Sequence, residues 1–457
     1  MKKNFLFDWK IHLIALILVV VSEFIGVIPI TLGPVKFSLL PMLYALVFGI
    51  ILGAAKLVDS KSMKLASGYI SMVTTWLIVQ VAAGTGPNVK AIFESGPAII
   101  LQEFGNLGTL FIAVPVGVLI FSMGRQAIGA GFSNSREPSI AIVGNMFGLD
   151  SQEGQGVMGA YITGTLIGTI FCGLLASLCV SLKLFHPYAL GLAAGTGSGS
   201  MMAAALAPVV EAYPDMADQI SAYAGMSQML TYVDGTYMSV LLAIPLSQWL
   251  YNKIGGPKRY EASQARLAAK HGEITVDEEK RKRELELAKE TLKVEKQTKQ
   301  EIWATRLKVV IISGIMSDIA NVISTLKAGK PVSFVQALPG LAMMFIVIML
   351  GYLIDDYLSA HTKIKLPNIV YMSLLGLIFS LPIIPFGAYF NEQTRLIGLL
   401  PICTPILAFA GISAAKDMKE FRSQGIGIVI TAMAAFVGTY LGSATIANVV
   451  LKLQGII

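Results

Sequence analysis

Apolar, sparsely charged runs long enough to cross a bilayer recur along almost the whole chain, several of them without any charge, and they leave few folds open. A helical crossing needs ~20 mostly apolar residues. Such runs fall at roughly 11–31, 36–55, 65–83, 97–123, 126–149, 156–182, 187–211 and 226–251, and again at 307–325, 333–354, 366–385, 394–415 and 422–450. Charged residues make up 14% of the 457-residue chain, against about 25% in soluble proteins. The expected fold is an all-α polytopic membrane protein with about 12–13 spans, some of them re-entrant or broken.

Loop charge orients the spans. Lys56, Lys61, Lys64, Arg125, Lys253, Lys258 and Arg259 lie between runs, and the positive-inside rule places such loops in the cytoplasm. The acidic stretches Asp150 to Glu153 and Glu211 to Asp218 read as outside. Met1 to Lys10 precedes an apolar run without a small-residue cleavage site, so it reads as the cytoplasmic lead into a retained first span. The expected location is the inner (cytoplasmic) membrane of a bacterium. The net charge of +7 belongs to these loops and does not indicate nucleic acid.

Residues 253–306 break the membrane pattern. They are dense in Glu, Lys, Ala and Leu, with i,i+4 pairs such as Glu279–Arg283 and Glu295–Lys299. They read as a charged cytoplasmic helical linker. It joins a first membrane half, 1–252, holding a transport core at about 97–251, to a scaffold-like second half, 307–457. An internal repeat supports two halves. Ser22-Glu23-Phe-Ile-Gly-Val27-Ile28, then Pro34-Val35-Lys36-Phe37 and Leu40-Pro41, matches Ser317-Asp318-Ile-Ala-Asn-Val322-Ile323, then Pro331-Val332-Ser333-Phe334 and Leu338-Pro339. By loop charge both copies start inside, as a parallel repeat would.

Two runs carry interruptions that carry the functional reading. Tyr188 to Pro208 contains Gly195-Thr196-Gly197-Ser198-Gly199-Ser200, and alternating glycines and hydroxyls weaken a helix. Unwound chain at membrane depth survives only inside protein or beside a watery cavity, and half-helix ends there point at solutes. Close packing through Gly195 and Gly199 is the competing reading. In 126–149 the sequence Ser133-Asn134-Ser135-Arg136-Glu137-Pro138-Ser139 does the same. Pro138 disfavours helix at Glu137, Ser139 opens a new helix start, and Arg136 suits a carboxylate. A simple turn between two short helices is the alternative. Asp234 lies centrally in its run, where a carboxylate is a functional-site candidate by default. It could hold a proton or sodium ion, or pair structurally with Arg136. Glu23, Glu103 and Asp318, also at membrane depth, read as structural or interfacial.

The chain has no HExxH, GxSxG or Walker loop, so neither an enzyme nor a primary pump is expected. Cys172, Cys179 and Cys403 and four scattered histidines offer no metal spacing. No cofactor is expected.

Arg136-Glu137-Pro138-Ser139-Ile-Ala, Gly191 to Ser200, and Asp234-Gly235 before Pro245 resemble the membrane core of the LrgB/CidB proteins over about residues 107–250. The whole chain resembles the bacterial domain-of-unknown-function family 3100. LrgB/CidB proteins have been described as holin-like proteins and as carriers of small carboxylates. Where they carry Ser-His this chain has Gly197-Ser198, and where they carry Asn it has Asp234. The resemblance implies an elevator-like, homodimeric secondary transporter of a small organic anion, a carboxylate or amino-acid derivative. Ser135, Arg136 and Ser139 would bind one side of the solute, and Thr196, Gly197, Ser198, Gly199 and Ser200 the other. Glu137 or Asp234 would carry the coupling proton or sodium. The rival reading is a holin-like pore or a non-transporting membrane regulator.

Overall fold

The computed structural model describes residues 9–32, 35–132, 137–148, 151–271, 298–362, 368–417 and 425–457. Ser135 and Arg136 fall outside the described residues, as do 272–297 of the charged linker; Glu137 and Asp234 are placed by backbone only.

The chain is helical almost throughout. The elements are α1 (Trp9–Ile25), a hairpin of β1 (Ile28–Leu32) and β2 (Val35–Leu39), α2 (Pro41–Ala54) and α3 (Ser60–Thr85). Next come α4 (Gly96–Ile120), α5 (Gln126–Phe132), α6 (Glu137–Met146), α7 (Gln152–Ser181), α8 (Pro187–Ala194) and α9 (Gly199–Ala212). Helix α10 (Ala217–Met238) continues through a π-turn, Ser239–Ala243, into Ile244–Lys253. The remainder is α11 (Gly256–His271), α12 (Lys299–Lys327), α13 (Phe334–His361), α14 (Asn368–Phe379), α15 (Gly387–Arg395), α16 (Leu399–Ala414) and α17 (Ile426–Leu453). Among the described residues, six helices are long and apolar enough to cross a membrane: α3, α4, α7, α12, α13 and α17. The pair α15–α16, bent by 63°, adds a broken seventh.

Local chemistry sets the helix starts. Thr298 and Glu301 form a capping box on α12, and Ser333 and Gln336 one on α13. Asp59 caps α3, accepting from the Ser62 amide and hydroxyl, both at 2.9 Å. These bonds, the amide foremost, hold its carboxyl below the ordinary value. Asp59→Ala should therefore cost about 1 kcal/mol. A lowered folded value means the stabilisation is present above the unfolded carboxylate value and is lost as pH falls through the folded one. The melting-temperature gap between wild type and Asp59→Ala should accordingly close as pH is taken below about 4.

The β-hairpin is a departure from the expected second span at 36–55. Ile28 pairs with Leu39 and Leu32 with Val35, and Pro41 starts a helix of only 14 residues. β-Branched Ile28, Ile30, Thr31 and Val35 favour the strands. The repeat therefore diverges locally: Val35 to Phe37 lies in a strand, whereas Ser333 and Phe334 open a helix. The two copies still run the same way, since Lys327 at the end of α12 donates to the carbonyls of Phe24 and Ile25 at the end of α1 (2.7 and 3.1 Å).

The largest departure concerns 126–149 and 187–211, which do not cross. The Arg125 amide donates to Gln152 Oε1 (2.8 Å), Arg125 pairs with Glu153, and Gln126 Nε2 donates to Gln155 Oε1 (2.7 Å). Residues 125 and 153 thus sit at one end of the bundle. Helices of 7 and 10 residues span only about 10 and 15 Å, too short for a ~30 Å core. The α5–α6 segment enters and leaves at the Arg125 end. Gly129 and Gly156 permit it: a Cβ on Gly129 would lie 2.9 Å from the Val157 amide, and one on Gly156 2.9 Å from the Ala130 amide. This corrects the reading that put Arg125 and Glu153 on opposite sides of the membrane: the two share one end of the bundle. Glu153 neutralises Arg125, and Gln152 reaches Tyr260 of α11 (3.4 Å), in the lysine-bearing region.

The α8–α9 segment dips from the opposite end. Tyr188 donates to Gln219 Oε1 (2.6 Å), and Gly191 and Gly195 lie against Ile220 and Ser227, so α8 runs alongside the start of α10. Helix α9 then runs parallel to the second half of α7, with Met201 at Gly168 and Ala204 at Gly173. Ser181 and Ala212 therefore finish at the same end, beside Asp218. The sequence α4, hairpin, α7, hairpin, α10 has the second hairpin inverted relative to the first, the connectivity of an inverted-topology repeat. Helix α17 packs on α4, α5, α7 and α8.

Candidate functional site

The second hairpin turns at Gly195 to Ser198, deep in the bundle. Helix α8 ends at Ala194, and Ser198 caps α9 by accepting from the Met201 amide (3.4 Å). The turn fits because Gly195 lacks a side chain: a Cβ there would stand 2.6 Å from Ser227 Cβ and 2.8 Å from the Gln228 amide. Gln228 Nε2 then donates to the Gly197 carbonyl (3.0 Å). On the other flank Thr169 reaches Ser200 at 3.5 Å, and Ser200 lies 3.3 Å from Ser198. A Cβ on Gly199 would lie 2.5 Å from Thr74 Cγ2.

The sequence-derived residues divide accordingly. Gly197, Ser198, Gly199 and Ser200 are gathered at the tip. Thr196 is buried and donates back to the Ala193 carbonyl (2.7 Å), closing the last turn of α8. Ser139 is buried in the first turn of α6, on the other hairpin, and α6 touches α10. Asp234 stands one turn beyond Thr231 on α10; its side chain, and that of Glu137, lies outside the described residues.

Around Gln228 lies a polar network that the sequence reading did not assemble. Glu103, 2% exposed, accepts from Gln102 Nε2 (2.6 Å), Asn106 Nδ2 (2.7 Å) and Thr231 Oγ1 (2.6 Å). Gln102 Nε2 also donates to Ser227 Oγ (3.0 Å). Thr231 Oγ1 lies 2.9 Å from the Ser227 carbonyl as well, and its single proton cannot serve both acceptors. With Glu103 ionised, the hydroxyl donates to it. With Glu103 protonated, Thr231 can accept from the acid and donate to Ser227. The network thus has a hydrogen-bonding solution in either protonation state. The sequence signal was the same i, i+1, i+4 polar triplet on two apolar helices, Gln102-Glu103-Asn106 and Ser227-Gln228-Thr231. Each triplet makes one polar face.

The chemistry available is two-sided. The first-turn amides of α9 form a helix N-terminus suited to an anion. Gln228 must turn its nitrogen to the Gly197 carbonyl, which leaves its buried Oε1 without a partner among the described residues; Gln102 Oε1 is left the same way. With Glu103, those oxygens suit a cation. No group of three or more metal-ligating side chains occurs among the described residues.

Two re-entrant hairpins entering an all-α bundle from opposite ends, one of them turning against a buried carboxylate network, define a polytopic membrane protein with an internal polar site. The family described as "Protein of unknown function (DUF3100)" matches residues 20–253, slightly more than half of the chain, and the protein belongs to that family. The matched stretch contains both hairpins and the whole Glu103 network. No curated protein and no solved structure matches the chain.

Proposed function

We propose that this protein is a secondary active transporter of a small organic anion, a carboxylate or amino-acid derivative, coupled to a proton or sodium ion. The observation that carries the reading is the tip at Gly195 to Ser198: unwound chain buried beside Glu103, Gln228 and a helix N-terminus. Polar backbone at that depth needs internal partners, and opposed half-helices around a central site are how many carriers hold solute and coupling ion together. The solute anion binds the α9 amides with Ser198 and Ser200; Ser139 of the first hairpin, together with Ser135 and Arg136 as the sequence reading assigns them, binds its other side. Glu103 joins Asp234 and Glu137 as a carrier of the coupling ion. The hairpin-bearing core moves against the remaining helices, elevator-like, within a homodimer. Positive-inside bias puts the Arg125 end in the cytoplasm of a bacterial inner membrane.

A thermal-shift screen of the purified protein against small acids and amino acids tests this. A transported carboxylate should raise the melting temperature by on the order of a few degrees. Ser200→Ala and Gln228→Leu should each weaken that hit about tenfold, the ~1.4 kcal/mol of one good hydrogen bond. Uptake of the same solute into proteoliposomes should saturate and follow an imposed ion gradient. Unsaturable leakage insensitive to both substitutions would favour the pore reading instead.

A further inference from the structure

We infer a second cation site, outside the hairpins, where α3 and α12 meet the break between α15 and α16. Asp318 on α12 is 0% exposed, and neither carboxylate oxygen has a hydrogen-bond partner among the described residues. An ionised carboxylate left so in an apolar bundle is expensive, so a positive charge must accompany it. The surroundings fit that need. Helices α3 and α12 run side by side in the same direction: Lys308 reaches the Tyr69 hydroxyl, and Trp76 Nε1 reaches the Val310 carbonyl and Ser313 Oγ, both at 3.1 Å. The same register brings Gln80, one turn past Trp76, level with Asp318.

Both neighbours of Asp318 are tied to the break. Gln80 Nε2 donates to the Ile397 carbonyl (2.7 Å). Asn321, one turn beyond Asp318, donates to the Leu396 carbonyl (2.9 Å) and accepts from the Gly398 amide (2.9 Å). Each side-chain amide nitrogen in this set donates to a carbonyl of the break, no donor among the described residues reaches Asp318, and acceptors remain. They are both Asp318 oxygens, the buried Gln80 Oε1, which also has no partner among the described residues, and spare lone pairs on the Leu396 and Ile397 carbonyls. Half-helix C-terminal ends and unwound carbonyls are where carriers hold their cations.

Among the other titratable groups on the packed elements, Arg395 of α15 pairs with Asp218 (2.6 Å), and His12 of α1, buried without a hydrogen-bond partner among the described residues, stacks on Tyr69. Glu23 of α1 accepts from Thr404 of α16 (2.6 Å), with Cys403 beside that threonine, and Lys327 is held by carbonyls of α1. On α13, Asp356 is bound by Arg306 and Trp303. One unpaired carboxylate calls for one positive charge, so the ligand is a monovalent cation, a proton or sodium. The site also repeats the hairpin tip's arrangement: a glutamine nitrogen pins a break carbonyl beside a buried acid. It does not depend on the transport reading, since the cation binds whether or not a solute is carried.

The test is the melting temperature of the purified full-length protein, with sodium titrated against choline at fixed pH and, separately, with pH lowered in choline. Sodium at the site gives a saturable rise of on the order of a few degrees, of which Asp318→Asn removes the component bound there and the surface variant Asp215→Asn removes none. A proton there gives no sodium response but a rise on lowering pH that Asp318→Asn flattens. Gln80→Leu, which removes the spare oxygen, should shift the midpoint of whichever response is seen about tenfold, and carries the test should Asp318→Asn not fold. Responses unaltered by Asp318→Asn and Gln80→Leu, or lost only in Glu103→Gln, overturn the assignment.

Discussion

Glu103→Ala is expected to be among the most damaging single substitutions in the chain. It removes the acceptor shared by Gln102, Asn106 and Thr231. Gln102 and Thr231 can fall back on Ser227; Asn106 Nδ2 has Glu103 as its one partner among the described residues, and its loss leaves a donor to be desolvated. An orphaned buried donor costs about 1–3 kcal/mol, and the side-chain void adds to it. A total of about 3 kcal/mol would lower the melting temperature in detergent by several degrees. Glu103→Gln keeps the shape and one acceptor oxygen, so most of the stability should survive. Gradient-driven uptake should still fall to background in that variant, because the amide cannot alternate between charged and neutral forms. A Glu103→Ala protein that melts with wild type would show that the network does not hold the hairpin, and a Glu103→Gln protein with normal coupling would remove Glu103 from the transport cycle.

What could be read from the sequence follows the range of the forces involved. Apolar run length is local, and it located nearly every helix. The break at Gly195 to Ser198 was legible because glycine and serine weaken a helix wherever they stand. Whether an apolar run crosses or returns is decided by where its two ends are held. For 126–148 that depends on Arg125 finding Glu153, on Gly129 meeting Val157 and on Gly156 meeting Ala130. Charge sign set Glu153 apart from Arg125, although an acid balanced by arginine carries no net bias and the two pair in the fold. Glu103 was seen as a membrane-level acid, yet its partner Thr231 lies more than a hundred residues away in the chain. The same holds for Asp318, whose setting is built by Gln80 and by a break at 396–398 that no glycine cluster announces.

The re-entrant path of 126–148 predicts an all-or-none labelling result. Single cysteines at Ser151, Leu184, Asp215 and Lys258 can be introduced without interference, because Cys172, Cys179 and Cys403 are buried. With a membrane-impermeant maleimide on sealed vesicles, Ser151→Cys and Lys258→Cys should react from the same face. Leu184→Cys and Asp215→Cys should react only from the other. The physical reason is length: a 7-residue and a 10-residue helix cannot carry the chain across hydrocarbon, and the Gln152 and Glu153 side chains clasp Arg125 where the hairpin begins. Were 126–149 and 187–211 simple spans, Ser151→Cys would label with Asp215→Cys and Leu184→Cys with Lys258→Cys, two reversals in one experiment. That outcome would dissolve both hairpins and, with them, the buried tip on which solute recognition depends.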